Sequence, residues 1–124
     1  MQSTYMAGFR KLRVWQDAHA LTLKIYQITA RFPAAEQFGL TDQMRRASSS
    51  IQAQIAEGSR MPTLKYRKLY YNRAYASAAE LDGFLELVRD LAYIDQKEYD
   101  EILVWINRIA AQVYKLSLSC STKK

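Results

Sequence analysis

Apolar residues recur along this chain at alternating steps of three and four, the period that lays a single stripe down one face of a helix. The pattern is cleanest near the end. Asp95 with Glu98 spells a capping box, in which each side chain satisfies a free amide of the first turn. Tyr99, Ile102, Leu103, Ile106, Ile109, Ala110, Val113 and Leu116 then share one face, which predicts a helix over about 95–118. Val104, Trp105 and Tyr114 fall outside that stripe and widen the apolar surface, so they are candidates for contact with another subunit. A longer helix is predicted over about 63–92, following Pro62, with Tyr66, Tyr70, Ala74, Ser77, Leu81, Phe84, Val88 and Leu91 inward. Steps that alternate between four and three after the first imply left-handed, coiled-coil-like packing. The small residues Ala74, Ser77 and Ala78 would admit a neighbouring helix closely.

Upstream, Trp15, Ala18, Leu21, Ile25, Ile28 and Phe32 predict a helix over about 14–31. Pro33 ends it by lacking an amide and disfavouring helical geometry in the residue before it. Met44, Ala47, Ile51 and Ile55 predict another over about 41–57, with Thr41 as its N-cap and Gly58 as its C-terminal cap. Four amphipathic helices with short connections make an all-α, antiparallel up-down four-helix bundle. It is expected to form one domain over 1–124 with short disordered tails.

Composition supports this and narrows the chemistry. With 49% hydrophobic residues, four glycines and two prolines, the chain has a core to bury and few breakpoints. No run is apolar enough for a signal peptide or membrane span, so a cytoplasmic protein is expected. Cys120 is the lone cysteine and is expected to be an incidental thiol in a frayed terminus. One Cys and one His make no zinc site. His19 lacks a nucleophile to serve, and the run Ser48-Ser49-Ser50 lacks a nucleophile elbow. Glu80, Asp82, Glu86 and Asp90 come without a Glu-x-x-His pair, which argues against a di-metal centre. There is no glycine-rich phosphate loop. Neither a catalytic residue nor a cofactor or metal site is expected.

Charge carries more information. The chain holds +6 overall, divided as +8 over residues 1–75 and −2 over 76–124. Such asymmetry points first to nucleic acid. Arg45 and Arg46 begin the second helix and Arg60 ends it. In TLKYRKLYYNRAY, residues 63–75, Lys65, Arg67, Lys68 and Arg73 interleave with tyrosines. Cations beside flat rings suit phosphate contact plus base stacking on an unpaired strand, with Tyr71 and Tyr75 as the stacking candidates. Alternatively the cations are ordinary surface and the apolar surplus serves only protein contacts. Membrane binding through the third helix is disfavoured, because its apolar stripe is needed for the core.

FRKLRVWQDA at 9–18, IYQITARFPAAEQFGLTDQMRRA at 25–47, SIQAQIAEGS at 50–59 and AAEL at 78–81 together resemble a known family. It comprises the four-helix-bundle proteins encoded in intervening sequences of bacterial 23S rRNA genes. The chain is also similar to their relatives, the accessory variability proteins of diversity-generating retroelements. It departs from the family pattern at Gln54, where Asn is usual, and at Ala76-Ser77, where Gly-Ser is common. The resemblance implies a ring- or barrel-shaped homopentamer with a basic surface, RNA as ligand and, in the retroelement branch, a reverse transcriptase as partner. The family pattern of Arg-Arg-Ala on one helix and Glu on the next also implies an ion pair between Arg46 and Glu80.

Overall fold

The computed structural model describes residues 8–121. A 3-10 turn, Gly8–Lys11, leads into helix α1, Arg13–Thr29, and a second 3-10 turn, Ala34–Glu36, precedes α2, Leu40–Arg60. Helix α3 spans Leu64–Asp90 and α4 spans Gln96–Ser119. The described residues contain no strand. The four helices pack as the expected bundle. Leu21, Ile25, Ile28, Met44, Ile51, Ile55, Leu81, Leu85, Val88, Ile102, Ile106 and Ile109 are its fully buried large side chains.

The helix ends show how local chemistry sets the boundaries. Asp95 and Glu98 form the predicted capping box at α4, and Thr63 caps α3 by accepting from the Tyr66 amide. Thr41 is not a cap. It is buried inside α2, and the Glu36 carboxylate performs that task by accepting from the Leu40 amide at 3.1 Å. A Cβ on Gly39 would meet that carboxylate oxygen at 2.8 Å, so glycine there allows the close approach. The other oxygen of Glu36 accepts from the Tyr93 hydroxyl at 2.9 Å, tying together the two loops at one end of the bundle. This bond holds the phenol's proton and pushes its pKa up. Helix α3 ends in a 6→1 and 5→2 hydrogen-bond pair, from Tyr93 N to Val88 O and from Ala92 N to Arg89 O, with Ala92 at φ 62°. Alanine thus occupies a position usually left to glycine.

Gly58 lies within α2 and is not its terminal cap. A Cβ there would stand 2.8 Å from the Tyr71 ring and 3.1 Å from the Tyr70 Cβ, so the residue sets how closely α3 approaches α2. The core stripe of α3 accordingly runs through Tyr71, Ala74, Ala78, Leu81, Leu85 and Val88. Tyr66 and Leu91, expected inside, are exposed, while Tyr70, Ser77 and Phe84 are half-buried. Ser77 meets Ser50 of α2 hydroxyl to hydroxyl at 2.9 Å. Cys120 is buried at the end of α4 rather than frayed. The tails expected to be disordered fall largely outside the described residues.

Candidate nucleic-acid interface

Antiparallel packing brings the start of α1, the end of α2, the start of α3 and the end of α4 to one pole. Lys68 of α3 donates to the Ser117 carbonyl of α4 there, and also to the Ser121 hydroxyl. At the opposite pole Arg31, just beyond α1, pairs with Glu98 of α4 at 2.6 Å. The first pole collects Arg10, Lys11, Arg13, Arg60, Lys65, Arg67, Lys68, Arg73 and Lys115. Among the described residues its carboxylates are Asp17, which Arg13 engages at 3.5 Å, and Glu57. A charge asymmetry along the chain thus becomes one along the bundle axis.

Arg45 and Arg46 do not join this pole. Fifteen positions separate Arg45 from Arg60, about 22 Å along α2. Arg45 donates from Nε to the Thr29 hydroxyl at 2.8 Å and from a terminal nitrogen to the Tyr26 carbonyl at 3.3 Å, with its guanidinium 4.4 Å from the Tyr26 ring centre. It therefore closes the C-terminal end of α1, where a cation also meets the favourable end of the helix dipole. Arg46 lies on the exposed face and pairs with Asp42, one turn back on its own helix, at 2.9 Å. The expected Arg46–Glu80 pair is not formed, because the nearer i,i+4 carboxylate takes the guanidinium and Glu80 stays exposed.

The two arginines should separate in stability measurements. Arg45→Ala is expected to cost about 1–2 kcal/mol, since it removes two hydrogen bonds and a ring contact that tie α2 to the end of α1. Arg46→Ala is expected to cost under about 0.5 kcal/mol, as exposed pairs contribute little. Urea unfolding of the two variants checks the ordering, and equal losses would contradict it.

Two more of the anticipated phosphate contacts also hold helix ends. Arg67 donates from Nε to the Met61 carbonyl at 2.7 Å, closing α2, while Lys68 closes α4. Arg60 is half-buried in the last turn of α2. Lys65 and Arg73 are exposed, and the Arg73 guanidinium stands 5.1 Å from the Tyr70 ring centre. Of the two stacking candidates, Tyr71 is excluded by its burial. It is 5% exposed with its ring against Gly58, and no base can stack on it. Burial pushes its phenol up, Cys120 adds to that, and Arg67 opposes it. Tyr75 is 46% exposed and its ring lies 5.9 Å from that of Tyr114.

Val104, Trp105 and Tyr114 do not make one patch. Trp105 lines a cavity of about 340 Å³ with Lys24, Glu101 and Ile102, on the α1 side of α4. Tyr114 lines the opposite flank with Tyr75, Asn107, Ala110 and Ala111 of α3 and α4. Val104 faces outward between them and is exposed. A hundred degrees per residue explains the dispersal, for positions 105 and 114 are about half a turn apart.

Sequence reasoning missed Arg10, Lys11 and Arg13 as members of the basic pole. The signal was available, because in an antiparallel bundle the start of the first helix must meet the end of the second. Among the described residues, no group of three or more His, Cys, Asp and Glu side chains converges as metal ligands. No helix among them is long and apolar enough to cross a membrane.

Fold and site together define a four-helix bundle with one strongly cationic end. The sequence model of the 23S rRNA-intervening sequence proteins matches residues 10–115, and the chain belongs to that family. No curated protein matches it. Among solved structures it is similar to a protein of unknown function from the S23 ribosomal protein family of Bacteroides thetaiotaomicron. The TM-score is 0.76 at 21% identity, covering 84% of this chain and 97% of that one. That likeness concerns the fold.

Proposed function

We propose that the protein is a non-catalytic scaffold that binds nucleic acid, RNA in preference to DNA, through the basic pole. The observation that carries this is the gathering of cations from four segment ends, with Lys11, Lys65 and Arg73 exposed among them. Phosphates are held by point charges and guanidiniums in this way, and such contacts position a strand without reading its bases. The likeness to retroelement accessory proteins, which work beside a template RNA, is what favours RNA over DNA.

The assembly is a homopentamer, in which five copies of a chain at +6 present +30 to the polyanion. A reverse transcriptase with its template RNA is the partner that the similarity to retroelement accessory proteins suggests. Ultraviolet crosslinking to an unpaired RNA carrying 4-thiouridine tests the site, with the attached peptides mapped by mass spectrometry. Crosslinks are expected within residues 8–26 and 60–75. Crosslinks confined to residues 80–101, or none at low salt, would reject the proposal.

A further inference from the structure

From the 3-10 turn along α1 runs a track of rings, half-buried at Phe9 and Trp15 and exposed at His19 and Tyr26, that the basic pole does not account for. Trp15 and His19 stack with ring centres 4.9 Å apart and planes 12° from parallel, and Phe9 meets Trp15 edge-on at 5.2 Å. The spacing 15, 19, 23, 26 keeps Trp15, His19, Leu23 and Tyr26 within an arc of about 80° on the helix. Leu23 is 60% exposed and Tyr26 44% exposed, a large apolar strip for a helix whose other face already fills the core. Its polar partners are those of a base-binding surface. Arg10 lies 4.6 Å from the Phe9 ring centre, Gln52 Oε1 lies 3.3 Å from His19 Nδ1, and Arg45 covers Tyr26.

We infer that this track seats the bases of an unpaired RNA strand whose phosphates continue into the basic pole. The inference rests on the proposal that the protein binds RNA and specifies where the bases go. Rings joined to guanidinium and amide groups favour a nucleotide chain, because flat faces stack on any base while the cations meet phosphate. A protein helix would call for an aliphatic groove, and Leu23 is the one aliphatic residue in the track. Arg45 spends two of its five N–H donors on α1, leaving others for phosphate. The strip runs from the basic pole at Phe9 to Arg45, and so gives the displaced arginine a place on the same path.

The test uses the full chain with Trp105→Phe, which leaves Trp15 as the sole tryptophan. An oligouridine of about 12 nucleotides is compared with a base-free ribose-phosphate oligomer of the same length. The expected result is that oligouridine quenches Trp15 fluorescence and the base-free oligomer does not. His19→Ala, at an exposed position, is expected to lower oligouridine affinity about 5- to 100-fold while leaving its salt dependence unchanged. His19→Phe is expected to restore most of the affinity. If His19→Ala binds as tightly as the parent while Lys65→Glu with Arg73→Glu loses binding, the track is wrong and the basic pole stands. Equal affinity for both oligomers would also overturn it, leaving the strip as a protein-contact surface. If neither oligomer binds at low salt, track and RNA-binding proposal fall together.

Discussion

Reversing Lys11, Lys65 and Arg73 to glutamate together is expected to weaken binding of unpaired RNA by roughly 100-fold or more at low salt. It should also reduce the slope of log affinity against log salt by about 2, near 0.7 for each lost phosphate contact. These three are chosen because they are exposed and close no helix end. Substituting Arg67 or Lys68 would confuse binding with stability, since each donates to a carbonyl at a helix terminus. The triple variant should keep its native circular dichroism and unfolding midpoint, with the affinity read by anisotropy. Unchanged affinity in a folded triple variant would mean that the basic pole is only a solvated surface.

Gly58 carries the second large effect, on stability. Alanine is the better helix former by about 1 kcal/mol, so a glycine inside α2 is costly unless space demands it. Space does demand it: the missing Cβ would lie 2.8 and 3.0 Å from two atoms of the Tyr71 ring and 3.1 Å from the Tyr70 Cβ. Gly58→Ala is therefore expected to destabilise by about 1–2 kcal/mol net, and Gly58→Leu by about 3 kcal/mol or more. Pairing Gly58→Ala with Tyr71→Leu should recover part of the loss, a coupling that urea unfolding of the double-mutant cycle measures. Stabilisation by Gly58→Ala alone would show that α2 and α3 are less tightly packed than the geometry requires.

The fold was legible because its signals are local and repeated. Steps of three and four placed all four helices, and Asp95 with Glu98 marked the start of α4. The face of α3 was less so. The predicted and observed stripes share Ala74, Leu81 and Val88 and part at 70 or 71, 77 or 78, and 84 or 85. Apolar residues occupy both choices at 70/71 and 84/85, so periodicity cannot choose between them. Gly58 decides at one end, by accepting the Tyr71 ring, and Ser77 leaves the stripe because its hydroxyl finds Ser50. The start of α2 was misread for a related reason. A threonine at the right spacing resembles a cap, yet the carboxylate of Glu36 reaches the free amide and leaves Thr41 to the interior.

The candidate site was half legible. Charge asymmetry along the chain foretold a basic surface, but counting cations in sequence could not show which ones close helices. Arg45, Arg67 and Lys68 are committed to carbonyls contributed by residues 6 to 49 positions away. Antiparallel topology also separates Arg45 and Arg46 from the pole and admits Arg10, Lys11 and Arg13, a regrouping that follows from helix direction. The aromatic track was hidden differently. Trp15 fits the core period and was assigned inward, whereas in the bundle it is half-buried and stacks on an exposed His19.

Whether the cationic pole grips RNA is decided by one titration. A fluorescently labelled, unstructured single-stranded RNA is titrated with the wild-type protein at several salt concentrations. Light scattering on the same sample gives the assembly mass, expected near five times 14.4 kDa. Tight binding is expected at low salt, with a linear fall of log affinity against log salt at a slope of about −2 or steeper. Absence of binding at low salt, or binding indifferent to salt, would contradict it and return the arginines and lysines to the service of the bundle alone.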